Sequence, residues 1–274
     1  MKRIKELKIN WYYATAFLLL LGFIGINLYN ANNQTKVVEQ YRKDLTREDI
    51  TEQRYVADEY NKTVENNEVF EMDDIYADDY VESDLQSSVN LFNDNEPIGS
   101  VEVPSLDLEL AIYEGTSEQE LQLGAGHMKG TSLPTGENNT RSVITAHRGL
   151  TTKRMFRDID KLEIGDIFFI ESFGEKKAYE VYNKDVVLPE NSSSVDLIPD
   201  EEVVTLLTCE PYMLNTHRLL VDGRRVDYEE SMDKQKKKGL SFSLVDIEYL
   251  ILIAVGILIV GKVAYELYKK KKED

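Results

Sequence analysis

The feature that most limits the possible folds is a change in residue composition at Glu96. After this residue, glycine and proline interrupt the chain every few positions and separate short runs of apolar and β-branched residues. Short strands with frequent turns are typical of a β-barrel or a β-sandwich, so the chain is predicted to be mainly β. We expect strands in IGSVEV, LELAIY, RSVITA, DIFFIES, KKAYEVYNKDVV, EEVVTLLTC and HRLLVDGRRV, and a short helix in TKRMFRDIDKL. The predicted β domain covers residues 96–227.

The preceding segment, residues 30–95, has a different character. It contains no glycine or proline and is rich in acidic and amide side chains, with apolar residues at helical spacing from Val37 to Leu45. We therefore predict a helical stalk. Residues 69–90 mix acidic and aromatic residues without a clear period, which indicates a loop or short helices that cover another part of the molecule.

Two apolar segments predict membrane helices. Residues 11–29 contain no charged residue, and 19 residues at about 1.5 Å each nearly cross a hydrocarbon layer of about 30 Å. A signal peptide is the alternative, but the residues after Tyr29 are a poor match to a small-residue cleavage site. The second segment, residues 249–261, is shorter, and we extend it to a span over 245–268 because flanking charged side chains can reach the interface.

Charge predicts how such a chain is oriented. The tails 1–10 and 269–274 are basic and are expected to be cytoplasmic. The segment between the two predicted membrane helices is then expected on the extracellular side of the membrane. A lysine cluster in the linker 228–244 lies on the predicted external side and is expected to face anionic polymers or headgroups. The net charge of −18 argues against a nucleic-acid partner, because phosphate backbones bind basic surfaces.

Cys209 is the only cysteine and stands at the end of a predicted strand. Arg218 follows nine residues later at the start of the next strand, so a hairpin places the two side by side. The alternative is a purely structural role, in which Cys209 is a small buried apolar residue. A catalytic thiol needs a nearby cation or base, because only the thiolate attacks a carbonyl carbon.

The acid that protonates a leaving amine is most often histidine. His147 follows an apolar strand directly, as Cys209 does, and is our candidate. His127 lies between glycines and is expected to be a loop residue with a structural hydrogen bond, and His217 is expected to pack behind its strand. A guanidinium at Arg218 is a suitable donor to the oxyanion that forms during acyl transfer.

These motifs resemble the sortase family, the membrane-bound cysteine transpeptidases of Gram-positive bacteria. The similarity is carried by TLLTC, by NTHRLLVDGRR and by TAHRGL, and extends over residues 99–226. Two predicted membrane helices, an N-terminal extension and TCEPYMLNTHRLL make the chain most similar to class C, the sortases that polymerise pilins.

The resemblance implies a closed sortase-type β-barrel with short helices. It implies that Cys209 is the nucleophile, His147 the general acid and base, and Arg218 the oxyanion donor. The motif residues Thr205, Leu206 and Thr208 are implied to shape or bind at the site. The implied substrate is a surface or pilin protein with a Leu-Pro-x-Thr-Gly-type signal, and the acceptor is a pilin lysine or a cell-wall precursor amine. The implied reaction uses no metal and no cofactor.

Two features bear on this resemblance. Many class C sortases carry an Asp-Pro-aromatic lid, for which Asp79 and Tyr80 are the candidates here, without the proline. The sequence Leu-Pro-Thr-Gly at 133–136 nearly spells a sorting signal but lacks the variable residue, and we interpret it as a turn.

Three other functions fit the same sequence. One is a sortase that anchors surface proteins to the cell wall, and another is a peptidase that uses water as the acceptor. The third, from a different class, is a non-catalytic membrane protein whose β domain binds a wall or pilin component. Thiol-directed labelling of Cys209 separates this binding protein from the enzymes.

Overall fold

The structure of the chain is a computed structural model that divides into two compact units. It describes residues 2–66, 92, 96–151, 153–189, 191, 195–238 and, nearer the C-terminus, 254–259, 261, 262, 265 and 269. One unit comprises residues 1–31 and 240–274, and the other comprises residues 32–239. The second unit contains all the strands of the described chain.

Eight strands form a closed barrel in the order β1-β2-β3-β4-β7-β8-β6-β5. Pairing is antiparallel except for β2 with β3 and β4 with β7, which are parallel. The strands are β1 Gly99–Val103, β2 Leu108–Glu114, β3 Ala125–His127, β4 Thr140–Thr145, β5 Ile167–Ser172, β6 Glu175–Val187, β7 Glu202–Glu210 and β8 His217–Val226.

Alternate apolar side chains from these strands fill the barrel interior. The rings of Phe168 and Tyr179 stack there with centroids 5.5 Å apart, and both side chains are fully buried. Gly223 makes room for this pair, since a Cβ at its position would lie 2.3 Å from the Phe168 ring. Side chains with period-two alternation therefore build the core, as the strand pattern predicts.

The seven predicted strands are all present, and the predicted mainly β fold is confirmed. The sequence missed β3, because three residues with a central glycine are too short to show alternation. It also missed a short helix, Glu118–Leu123, although Ser117 and Glu120 form the S-x-x-E pattern of a capping box.

The helix predicted in TKRMFRDIDKL is wrong. The described residues of this stretch form turns and a 3-10 helix at Ile159–Lys161. Met155 adopts a φ of 46°, which lies in the left-handed region and cannot continue a right-handed helix. Its side chain is buried in the barrel core, so packing stabilises this backbone conformation.

Four α-helices have defined bounds, and the described residues 254–259 are also helical. The four helices are α1 Lys2–Asp44, α2 Arg47–Asn66, α3 Glu118–Leu123 and α4 Tyr228–Lys238. The predicted helical character of the segment before the barrel is thus confirmed as far as Asn66, and the predicted linker begins with α4. Tyr228 and Met232 of α4 pack against an apolar patch on β5 and β6.

Residues 32–66 of the segment predicted as a stalk pack on the barrel wall. Arg42 near the end of α1 pairs with Glu109 at 2.9 Å and with Glu171 at 2.7 Å, joining β2 and β5. The Tyr41 hydroxyl donates to the carbonyl of Ile98 at 3.0 Å, just before β1. The end of α1 is therefore a part of the barrel unit.

One buried amide, that of Asn61, makes three of the hydrogen bonds that hold helix α2 on the barrel. The Asn61 side chain donates to the Leu133 carbonyl and to Thr135 Oγ1, each at 3.0 Å, and accepts from the Leu133 N–H at 2.7 Å. Leu133 and Thr135 belong to the near-signal 133–136, and both are fully buried. This stretch is therefore an internal connection under α2, which agrees with its interpretation as a turn.

The membrane predictions are not confirmed by the structure. Residues 11–29 lie within α1, and most of 245–268 lies outside the described residues. Among the described residues, no helix is both long enough and apolar enough to span a membrane.

We predict that Asn61→Ala lowers the free energy of unfolding by about 2–4 kcal/mol, because the buried N–H and C=O of Leu133 both lose their partner. Urea titration measures this change. The neighbouring Lys62→Ala is the control, since the Lys62 side chain is 65% exposed and its loss is expected to cost about 0.5 kcal/mol or less. Equal effects of the two substitutions would contradict the role assigned to Asn61.

Candidate active site

The parallel pair β4 and β7 brings His147 and Cys209 to the same edge of the barrel. The register pairs Thr145 with Leu207, so two further residues along each chain place His147 level with Cys209. The Ala146 N–H donates to the Leu207 carbonyl at 3.2 Å, and Thr208 Oγ1 donates to the Ala146 carbonyl at 2.8 Å. These bonds fix the two chains one step before the candidate residues.

The antiparallel pair β7 and β8 brings in Arg218. Cys209 and Arg218 are directly opposite each other in this register, so their side chains share one face. Each residue is 4% exposed. The Arg218 guanidinium also donates to the carbonyls of Asn215 and His217, at 2.9 and 2.8 Å, which holds it at the start of β8. The side-by-side placement predicted from the hairpin is confirmed.

This face is the outside of the barrel wall. Val204 and Leu206 of β7 belong to the interior core, whereas Leu207 packs in a separate cluster with Val143 and Leu220 of the flanking strands. Since side chains alternate along a strand, Cys209 lies on the side of Leu207. The thiol is therefore borne on the outer wall and does not depend on an opening into the core.

A buried polar group lies at the other end of the same wall. Arg141 of β4 pairs with Asp222 of β8 at 2.8 Å, and Thr205 Oγ1 lies between them, 3.0 Å from Arg141 Nε and 2.7 Å from Asp222 Oδ1. Arg141 also donates to the carbonyl of Asp196 at 3.0 Å, in the connection from β6 to β7. The guanidinium thus fastens that connection to the wall.

The three motif residues predicted to shape or bind at the site are buried and contact the protein itself. Thr205 belongs to the Arg141–Asp222 group, Leu206 lies in the barrel core, and Thr208 bonds the chain before His147. These contacts favour the shaping role. The candidate lid residues Asp79 and Tyr80 lie outside the described residues.

Glu118 at the start of α3 is a site residue that sequence reasoning missed. One of its carboxylate oxygens lies 3.5 Å from His147 Nε2, and the His147 side chain is 19% exposed. Burial lowers the pKa of His147, and the carboxylate of Glu118 acts in the opposite direction. The capping pattern at Ser117 is the signal by which α3, and with it Glu118, was detectable.

We predict that Glu118→Gln lowers the pKa of His147 further, because the substitution removes the negative charge that favours the imidazolium. The measurement is an NMR titration of the histidine ring signals, of which the chain has three sets. Glu120→Gln on the same helix is the control, since glutamine also serves at this capping-box position. A pKa that stays the same, or falls equally in the control, would show that Glu118 has no specific effect.

His127 and His217 have other surroundings. His127 ends β3 instead of lying in a loop, it is 1% exposed, and its Nε2 lies 2.9 Å from the Ser132 carbonyl. The predicted structural hydrogen bond is therefore confirmed. His217 is partly exposed and its Nδ1 contacts Thr216 Oγ1 at 2.9 Å, so it does not pack behind the strand as predicted.

Burial lowers the pKa of His127 from 6.5 to about 4. The unfolded chain therefore binds a proton at this residue between pH 6.5 and 4 that the folded chain does not bind. Stability falls as the pH is lowered through this window. A shift of this size corresponds to about 3 kcal/mol.

We predict that His127→Gln flattens this part of the pH profile, because glutamine does not titrate and its amide can still donate to Ser132. Urea unfolding at several pH values between 7 and 4 measures the free energy of unfolding for the parent and the variant. The parent is expected to lose about 3 kcal/mol more than the variant. Parallel profiles would contradict the assignment.

The side chains of Cys209, His147 and Arg218 indicate a class of enzyme by their chemistry alone. A thiol, an imidazole and a guanidinium stand on neighbouring strand ends, which is the set of groups needed by a cysteine enzyme of acyl transfer. In the described part of the chain, no cluster of three or more histidine, cysteine or acidic residues is suited to hold a metal ion.

Comparison with known proteins identifies the family. A family model described as the sortase domain matches residues 101–226. Sortase D of Bacillus subtilis (strain 168) is 33% identical over 132 residues, which cover 47% of this chain and 63% of that protein. The chain thus spans less than two thirds of the length of this curated relative.

Two solved structures match over nearly their full length. A pilus-related sortase C of Group B Streptococcus is 38% identical with a TM-score of 0.63, covering 72% of this chain and 98% of that one. Sortase C of Streptococcus pneumoniae, whose structure concerns catalysis and pilin substrate specificity, is 37% identical with a TM-score of 0.62, covering 70% and 97%. The chain belongs to the sortase family. Its predicted similarity to class C is confirmed.

Proposed function

We propose that this chain is a cysteine transpeptidase that cleaves a Leu-Pro-x-Thr-Gly-type signal after threonine and transfers the acyl group to an amine. The observation that carries the proposal is the direct pairing of Cys209 with Arg218 across β7 and β8, with His147 two residues past the end of the adjacent strand β4. Membership of the sortase family supports it, because sortases are cysteine transpeptidases.

In the first half of the proposed reaction, the Cys209 thiolate attacks the carbonyl carbon of the threonine. The carbonyl π electrons move to oxygen, and Arg218 donates hydrogen bonds to the oxyanion. The oxyanion then collapses, the C–N bond to glycine breaks, and His147 gives a proton to the leaving amine. A thioester between the substrate and Cys209 remains.

In the second half, an acceptor amine attacks the thioester carbon and His147 takes up its proton. The C–S bond breaks, a new amide bond forms, and Cys209 returns to the thiolate. His147 thus serves as acid and then as base, which returns the site to its starting protonation state. The carboxylate of Glu118 next to His147 stabilises the ring while it is charged.

We further propose that the acceptor is a lysine of a pilin subunit, so that the reaction assembles a pilus. The support comes from the similar solved structures, one a pilus-related sortase C and the other studied for pilin substrate specificity. The exact signal is part of the same proposal and is identified by the assay below.

The assay uses the full chain, a library of peptides with Leu-Pro-x-Thr-Gly-type signals, and a lysine-containing acceptor peptide. Mass spectrometry distinguishes a threonine–amine conjugate from a free threonine carboxylate. Conjugate formation supports the transpeptidase, whereas a carboxylate product that persists with saturating acceptor would favour a hydrolytic peptidase. Absence of both products would contradict the proposal.

We predict that Cys209→Ala abolishes conjugate formation and that Arg218→Lys lowers kcat by roughly 100-fold or more, the usual cost of losing an oxyanion donor. Lysine keeps the charge but loses the planar fork of donors. The control is Arg224→Lys on the same strand, because the Arg224 side chain is 50% exposed and pairs with Glu201 away from the site. Near-parental turnover in Arg218→Lys would contradict the role of Arg218.

A further inference from the structure

Arg148 joins three parts of the chain around the candidate site. It directly follows His147 and is 7% exposed. Its Nη1 donates to the Cys209 carbonyl at 3.3 Å and to the carboxylate of Glu210, and its Nη2 lies 3.2 Å from Asp160 Oδ1. One guanidinium therefore links the chain after β4, the end of β7 and the 3-10 helix at Ile159–Lys161.

The contacts of Arg148 lie where β4 and β7 end, beyond the last hydrogen bonds between these two strands. The bonds between Ala146 and both Leu207 and Thr208 lie one step before the candidate residues. The contacts of Arg148 lie on the other side, at the carbonyl of Cys209 and at Glu210. His147 and Cys209 thus lie between the strand pair and the contacts of the guanidinium.

The charges around Arg148 indicate that it acts by fixing backbone positions and not by an electrostatic effect on the thiol. Its single positive charge faces two carboxylates, those of Glu210 and Asp160, so the group as a whole carries one negative charge. It therefore adds no net positive charge beside the thiol. A planar fork can reach a carbonyl and two carboxylates at once, which a lysine ammonium on a flexible stem does not reproduce.

We propose that Arg148 is a positioning residue that holds the Cys209 backbone at a fixed place relative to His147. The inference rests on the proposed function for the reaction that this arrangement serves. Because a displacement of about 1 Å between reacting groups can cost on the order of 100-fold in rate, a residue that touches no substrate can still determine turnover.

The test compares Arg148→Lys with Arg154→Lys in the full chain. Arg154 is a suitable control because its guanidinium also joins a carboxylate and a carbonyl, those of Asp158 and Leu106. We expect kcat for conjugate formation to fall roughly 10- to 100-fold in Arg148→Lys, with KM within about twofold of the parent, and little change in Arg154→Lys. A kcat for Arg148→Lys within about twofold of the control would overturn the proposal.

A second variant covers the case in which Arg148→Lys does not fold. Glu210→Gln keeps Arg148 and its contact with Asp160 but removes one charged anchor at the end of β7. We expect kcat to fall several-fold with KM again nearly unchanged. An unchanged kcat in this variant would overturn the proposal.

A further measurement separates this proposal from the proposed function. If the parent forms no conjugate, the proposed function has failed, and the rate at which iodoacetamide alkylates Cys209 then tests Arg148 alone. Cys209 is the only cysteine, so the labelling reports one site. We expect several-fold faster labelling in the folded Arg148→Lys or Glu210→Gln variant than in Arg154→Lys, because the end of β7 has lost an anchor. Equal rates would overturn the proposal.

Discussion

The parallel pairing of β4 with β7 is the constraint on which the site depends. Parallel strands bring their C-terminal ends to the same edge of a sheet, and they need a long crossover between them. Here the crossover contains β5 and β6, which close the barrel on its far side. Thus His147 and Cys209 are far apart along the chain and are brought to one edge of the barrel by this pairing. Strand β8 then starts at the same edge and adds Arg218.

The inner and outer faces of the barrel wall formed by β4, β7 and β8 carry different side chains. The interior face supplies the main apolar core of the barrel, and the outer face carries the groups of the candidate site beside the apolar cluster around Leu207. Two buried arginines are paired with carboxylates, Arg141 with Asp222 and Arg148 with Glu210 and Asp160. Removal of one partner from a buried pair is costly, since the remaining charge stays desolvated. The chemical groups are therefore held on a rigid surface.

Much of this arrangement follows from sequence. Strand alternation predicts the barrel strands, a hairpin of fixed spacing predicts that Cys209 faces Arg218, and its place directly after a strand makes His147 a candidate. What the sequence does not reveal are contacts over long separations. Arg148 belongs to the TAHRGL motif, but the motif does not show that its side chain meets Cys209 and Glu210 across the β4–β7 pair. The helix expected in 152–162 fails for a related reason, because core packing holds Met155 in a left-handed conformation.

The alternation of side chains in β7 also limits how the chain can vary. One residue inserted between Thr205 and Cys209 would turn the thiol from the outer wall towards the side of Leu206, in the apolar interior. Two inserted residues would restore the face but move the thiol by about 7 Å along the strand, away from Arg218. Connections between the strands can change in length without this effect. The residue count within the strand, by contrast, is as necessary to the site as the cysteine itself.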